Sequence, residues 1–169
     1  MGGGYFLPEG NMIIEKNLVV ETCENLRRQN KKIVFTNGCF DILHVGHVRY
    51  LTAAKNFGDV LIVGLNTDAS VKKLKGDSRP INNEKDRAEV LLGLKAVDYV
   101  VFFGERTAEN LIAEVKPDVY VKGGDYTIDK IPEAKIVQSY GGRIELVDFV
   151  AGHSTTNLIN AMQKVKSGN

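Results

Sequence analysis

Val60-Leu61-Ile62-Val63-Gly64-Leu65 is an unbroken apolar run, far too short to span a membrane and too continuous to have a wet face. A strand that alternates apolar and polar residues lies half exposed. One that is apolar throughout is covered on both sides, as in a parallel sheet flanked by helices. The rest of the chain repeats the theme. Apolar, β-branched runs at 32–36, 98–103, 119–121 and 143–147 alternate with segments whose apolar residues recur at helical spacing. Those segments predict a leading helix at about 13–30, then helices at 46–56, 83–94, 107–115, 131–140 and 154–165. Thr107 is the expected cap of its helix, and Pro117 and Gly141-Gly142 are expected stops. Such alternation means β-α-β units with right-handed crossovers. The expected fold is α/β: a doubly wound, Rossmann-like sheet of five parallel strands in the order 3-2-1-4-5, with helices on both faces.

At 169 residues the chain has one domain's worth of sequence. Residues 1–12 read as a flexible tail and 13–169 as the domain. The polar stretch 72–83 reads as a mobile loop. Apolar residues make up 43% and charged residues 25%, as in an ordinary soluble protein. A net charge of +1 and the lack of tryptophan argue against a nucleic-acid or membrane partner, so any affinity for phosphate must come from local groups. The start has no basic segment before an apolar core, so no signal peptide is expected. Cys23 and Cys39 make no disulfide framework, which fits a reducing cytoplasm. A homodimer is left open.

Ligands of doubly wound sheets bind beyond the carboxyl ends of the strands, where strand order reverses. Directly after the first expected strand comes Thr36-Asn37-Gly38-Cys39-Phe40-Asp41-Ile42-Leu43-His44-Val45-Gly46-His47. Two histidines flank a glycine where a helix begins. Gly46 permits close approach to the backbone, the helix N-terminus offers free N–H groups, and imidazole N–H groups can donate to phosphate oxygens. His-x-x-His with Cys39 nearby could also ligate zinc, but it lacks a fourth ligand. The histidines could equally be incidental helix-start residues. The position beside Asn37-Gly38 favours phosphate.

Three further segments fall at the same expected sheet end. Ser154, Thr155 and Thr156 can cap the last helix or contact a triphosphate. Lys122-Gly123-Gly124-Asp125 after the fourth strand lets a flat base lie against the chain, and is otherwise a glycine-rich turn. Lys73, Lys75 and Arg79 can close over polyphosphate, with Arg87 reaching in from the next helix, or can form a solvated face.

The run from Asn37 to His47 resembles the signature of the cytidylyltransferase-like nucleotidyltransferases. Within that superfamily, Leu65-Asn66-Thr67-Asp68, Lys75-Gly76-Asp77-Ser78-Arg79-Pro80, Lys116-Pro117-Asp118, Val121-Lys122-Gly123-Gly124-Asp125-Tyr126 and Ser154-Thr155-Thr156-Asn157 together resemble the D-glycero-β-D-manno-heptose 1-phosphate adenylyltransferases. The resemblance implies direct transfer of AMP from ATP to a sugar 1-phosphate, with release of pyrophosphate and no covalent enzyme intermediate. It implies catalytic roles for His44, His47, Lys73 and Lys75. It implies nucleotide contacts from Thr36, Asn37, Gly38, Cys39, Phe40, Asp41, Gly46, Asn66, Arg79, Arg87, Lys122, Gly123, Gly124, Asp125, Ser154, Thr155 and Thr156. Mg²⁺ would arrive with ATP, with no dedicated protein metal site and Asp41 as the nearest protein group. Glycerol-3-phosphate cytidylyltransferases carry Arg-Thr-x-Gly-Ile-Ser-Thr-Thr where this chain has Phe149-Val150-Ala151-Gly152-His153-Ser154-Thr155-Thr156. The missing arginine counts against that branch. The heptose enzyme is often fused behind a sugar kinase, and these 169 residues resemble its stand-alone form.

Overall fold

The computed structural model describes residues 11–148 and 152–166. Residues 1–10 of the expected tail at 1–12, and the stretch 149–151 where the arginine is missing, lie outside the described residues. The strands are β1 (Met12–Ile14), β2 (Ile33–Gly38), β3 (Val60–Asn66), β4 (Tyr99–Phe103), β5 (Val119–Gly123) and β6 (Arg143–Val147). The helices are α1 (Val19–Arg28), α2 (Val45–Lys55), α3 (Asp68–Lys75), α4 (Glu84–Leu92), α5 (Glu109–Val115), α6 (Ala134–Ser139) and α7 (Thr155–Lys166), with 3-10 turns at Lys16–Leu18 and Ile128–Lys130. All strands pair in parallel, in the order β1-β4-β3-β2-β5-β6.

The sheet therefore has six strands, not five. The unforeseen one is β1, where the sequence predicts the start of a leading helix. Ile14 and Leu18 stand at helical spacing, but Ile14 is buried and Leu18 is 46% exposed, so they share no face. The edge of β4 offers unpaired backbone groups, and that opportunity outweighs local spacing. Met12 N–H donates to Asp98 O, and Asn11 Nδ2 to Val97 O. Asn11 and Met12, expected in the tail, are thus tied to the sheet, and the first α-helix begins only at Val19.

Consecutive strand residues enter opposite cores, as the period of two requires. Ile33, Phe35, Ile62 and Tyr120 pack with Val19, Cys23 and Leu26 of α1 and with Leu111, Ile112 and Val115 of α5. Val34, Leu61, Val63 and Val119 pack on the other face with Tyr50, Leu51 and Ala54 of α2 and with Ala88, Leu91 and Leu92 of α4. Two apolar layers enclosing an apolar sheet are what the run at Val60 demands. Among the described residues no helix is long and apolar enough to cross a membrane.

Two other expectations change. The stretch 72–83 is not one loop, because its first four residues complete α3. Thr67 Oγ1 accepts the Ser70 N–H, and Ser70 and Val71 face the interior. The lysines that suggested a loop are exposed positions of a helix. Thr107 does not cap α5: the N-cap is Ala108, and Thr107 Oγ1 donates to Glu109 Oε2.

Strand order reverses between β2 and β5, so their carboxyl ends splay apart and leave the crevice where such folds bind ligands. The placement depends on close packing behind it. A Cβ added to Gly64, in the middle of β3, would stand 2.6 Å from Phe35 Cζ and 3.3 Å from Leu111 Cδ2. Gly64→Ala is expected to cost about 1–3 kcal/mol by overpacking. Thermal unfolding measures this, and an unchanged Tm would show that the Phe35 ring moves aside freely.

Candidate active site

The floor of the crevice is built from hydroxyls. Thr36 Oγ1 and the Tyr50 hydroxyl lie 2.6 Å apart, and Tyr50 donates onward to Val121 O at 3.1 Å. One side chain of α2 thus ties β2 to β5 at the switch point. Burial pushes the Tyr50 phenol up to about 12, so it stays a neutral donor. Tyr120 donates to Asn37 Oδ1 at 2.7 Å from the other side. Thr36 is fully buried with its hydroxyl committed to this network. It supports the site from behind rather than facing a nucleotide.

Above this floor stands the start of α2. His44 is its N-cap, and two histidines close the first turn reciprocally. His44 Nδ1 accepts the Gly46 N–H at 3.1 Å, and His47 Nδ1 accepts the His44 N–H at 3.3 Å. Each Nδ1 must offer a lone pair to do this, so in each neutral ring the proton sits on Nε2. Burial first, then the neighbouring His44 and Lys75, push His47 down to about 4. His44 is lowered by burial and by His153. The rings lie 3.9 Å apart, and His153 stacks beyond His44 at 6.4 Å. At neutral pH the helix therefore begins with two uncharged N–H donors beside the positive end of its dipole. A Cβ on Gly46 would lie 2.8 Å from His44 Cε1, so glycine is needed here for the ring to fold back.

Asp41 and the segment after α3 form one unit. The Asp41 carboxylate accepts Arg79 Nε at 2.7 Å and the N–H groups of Ile81 and Asn82 at 2.9 Å, while Asn82 Nδ2 donates to Asp41 O. Burial alone would raise this carboxyl, but the Asn82 and Ile81 N–H groups and Arg79 outweigh it and hold it below its usual range. Asp41 and Arg79 are thus partners in anchoring the 76–83 segment. Arg87 does not reach into the crevice. Its buried guanidinium donates to Asn82 O, Cys39 O, Asn66 O and Asp68 Oδ1. Asn66 donates to Ser70 Oγ at 2.9 Å.

The crevice itself has a volume of about 660 Å³, within the usual range for small-molecule sites. From the sequence-derived set it gathers Asn37, Gly38, Cys39, Phe40, Asp41, His47, Asn66, Lys75, Lys122, Gly123 and Thr155. Thr155 reaches it from α7, with its hydroxyl donating to Ile42 O at 3.1 Å. Lys73 lies in an adjoining hollow of about 550 Å³ with Ser70, Gly104 and Glu105, which shares Leu74 and Arg106 with the crevice. Residues two apart on a helix point about 200° apart, so Lys75 lines the crevice while Lys73 lines its neighbour. Gly124, Asp125 and Thr156 do not line the crevice, and Ser154 Oγ accepts the Asn157 N–H in the first turn of α7. An adjoining hollow of about 730 Å³ shares Lys130 and Pro132 but contains neither histidine nor glycine.

Sequence reasoning missed Tyr50, Arg106, Tyr126, Lys130 and Glu133 in the crevice wall. Arg106 had a legible signal: it follows the carboxyl end of β4, as Lys122 ends β5. Among the described residues no three His, Cys, Asp or Glu side chains converge to hold a metal ion. The Asp41 oxygens are occupied by N–H donors, and each Nδ1 of the histidine pair is occupied too.

The cytidylyltransferase-like family model matches residues 35–161, which take in the whole crevice from β2 to α7. The chain belongs to the cytidylyltransferase-like family. It is 55% identical over 138 residues to the bifunctional protein HldE of Geobacter sulfurreducens, covering 82% of this chain and 28% of that protein. Against the bifunctional protein HldE of Geobacter metallireducens the figures are 58% over 134 residues, 79% and 27%. The chain thus spans little more than a quarter of these relatives. Among solved structures it is similar to a lipopolysaccharide core biosynthesis protein from Thermoplasma volcanium, with TM-score 0.58 and 31% identity over 71% of this chain and 97% of that one.

The buried histidine pair has a measurable consequence. In an NMR titration His47 is expected to protonate near pH 4. Its unfolded-state value is 6.5, so between those limits the unfolded chain binds more protons, and stability falls as pH drops through the window. A His47 midpoint near 6.5 would contradict the neutral-donor geometry.

Proposed function

We propose that this chain is an adenylyltransferase that moves AMP from ATP to D-glycero-β-D-manno-heptose 1-phosphate, giving ADP-heptose for lipopolysaccharide or surface-polysaccharide synthesis, and releasing pyrophosphate. The observation that carries this reading is the reciprocal histidine turn at the switch point, whose Nδ1 atoms are taken up by the backbone and whose His47 lines a crevice shared with Lys75 and Lys122. Identity of 55% and 58% to two bifunctional HldE proteins, and 31% to a lipopolysaccharide core biosynthesis protein, supports the choice of acceptor. The work would be done in the cytoplasm, where ATP is made.

The reaction is an in-line displacement. A phosphate oxygen of the sugar 1-phosphate forms a bond to the α-phosphorus of ATP, and the bond from that phosphorus to the pyrophosphate oxygen breaks. The attacking oxygen is already anionic, so no strong base is needed, and catalysis rests on positioning and charge stabilisation. His44 and His47 donate to the triphosphate oxygens, where charge grows. Lys75 and Lys122 stand on elements flanking the crevice and offset the repulsion between two anionic substrates. Mg²⁺ carried by ATP would offset part of the triphosphate charge, held mostly by phosphate oxygens and water.

A pyrophosphate-release assay across nucleotides and phosphorylated acceptors tests the assignment. Release is expected with ATP plus heptose 1-phosphate, and release only with CTP plus glycerol 3-phosphate would overturn both base and acceptor. Within the same assay, His47→Ala is expected to keep ATP binding and lose turnover by on the order of 10²–10³, the usual cost of one transition-state donor. His47→Asn should recover part of the loss through its amide N–H. Normal turnover in a well-folded His47→Ala protein would remove the histidine from the chemistry.

A further inference from the structure

Glu133 is a charged residue whose placement stability alone does not explain. It precedes α6, is 2% exposed, and lines the crevice. Its Oε1 receives the Ala108 N–H at the start of α5 at a long 3.4 Å. Its Oε2 is shut off from solvent and makes no well-formed hydrogen bond among the described residues, because the neighbouring Tyr120 hydroxyl, which feels this carboxylate, is directed to Asn37 Oδ1. The nearest cation is the Lys122 ammonium at 3.8 Å, beyond ordinary hydrogen-bond range. A buried ion pair this loosely made does not offset the cost of desolvating it. Lys122 has a second neighbour, the Tyr126 ring, whose centroid is 5.7 Å from Nζ, within the range of cation–π attraction. The Lys122 side chain is only 22% exposed. The ammonium therefore has both an anion and a π face as neighbours, close enough to each to be held and bonded tightly to neither.

We propose that Glu133 is a positioning residue which, with the Tyr126 ring, seats the Lys122 ammonium so that its N–H groups face the anionic substrates. This rests on the nucleotidyl-transfer reading above. A lysine on a flexible four-carbon stem is a mobile point charge, and the seat converts it into a placed one. The carboxylate also offsets part of the lysine's pull on phosphate, which helps pyrophosphate to leave. Neutralising Glu133 should therefore slow turnover and at the same time tighten the binding of anions.

The test is a double-mutant cycle of Glu133→Gln with Lys122→Met on the full chain, reading kcat, the Kd of ATP and the inhibition constant of pyrophosphate. Glu133→Gln alone is expected to lower kcat on the order of tenfold while both anions bind severalfold more tightly. Glu133→Asp should restore part of kcat. In the Lys122→Met background, Glu133→Gln should change kcat less than twofold. Equal losses in both backgrounds, or a lowered Tm with unchanged kinetics, would overturn the proposal. Should Glu133→Gln fail to fold, the exposed Tyr126 supplies the second arm. Tyr126→Leu should lower kcat a few-fold with Lys122 present and not at all without it, and equal effects in both would likewise overturn the seat. If the unmodified chain does not act on heptose 1-phosphate, the functional reading fails separately. The cycle is then read on the Kd of ATP, where coupling below twofold refutes the seat itself.

Discussion

Arg87 holds the crevice open from behind. Its side chain is wholly shielded from water, and its guanidinium donates to three backbone carbonyls, Cys39 O, Asn66 O and Asn82 O, and to Asp68 Oδ1. Those acceptors belong to the turn after β2, the end of β3, the segment before α4 and the start of α3. A buried cation is tolerable only when its donors are met, and buried carbonyls only when something donates to them. The two needs cancel at this single residue. Everything nearer the ligand depends on it, because the carbonyl of Cys39 sits in the turn that leads to Asp41 and then to the histidines. Asp41 repeats the logic with opposite sign, gathering N–H groups from Arg79, Ile81 and Asn82.

The strands β2 to β5 were legible because their central residues are apolar on both faces, a pattern few other structures accept, whereas β6 carries Arg143 and Glu145 on one face and was legible only by its place in the alternation. The three-residue β1 was not: three residues cannot display a period, and its reason to exist is the free edge of β4. The site was legible where it lies in one contiguous stretch, from Asn37 to His47. Its basic residues were harder to sort. Arg79 and Arg87 look alike in the sequence, and only the fold shows Arg87 donating to three carbonyls and Asp68 while Arg79 meets Asp41 through Nε and keeps Nη2 without a partner among the described residues. Lys73 and Lys75 look equivalent until a helix separates them. Glu133 was invisible for the opposite reason. One acidic residue in a polar stretch carries no signal until β5, α5 and α6 converge on it.

On the proposed reading, one histidine turn is both scaffold and chemistry. The Nδ1 atoms close the backbone of the first turn, and that leaves the Nε2 protons as the part of each ring free to serve a ligand. Low basicity serves the same end. A charged imidazole would bind triphosphate more strongly in every state, whereas a neutral donor adds little until charge accumulates on the oxygen it faces. The floor beneath follows the same rule, since the Tyr50 hydroxyl keeps its proton and links β2 to β5 without adding charge to the crevice.

Between the two histidines the packing distributes mutational freedom very unevenly. Val45 is 41% exposed, so its side chain leans away from the ring contact and the position can drift among residues of many sizes. Gly46 has no such latitude, since even a methyl group would collide with the His44 ring and stand 3.4 Å from His153 Cβ. A lineage copying this turn can rewrite its second letter at little cost, while its third is dictated by the shape of the first. The motif's spelling, one free position followed by an obligatory glycine, is thus a steric statement about an imidazole folded over its own helix.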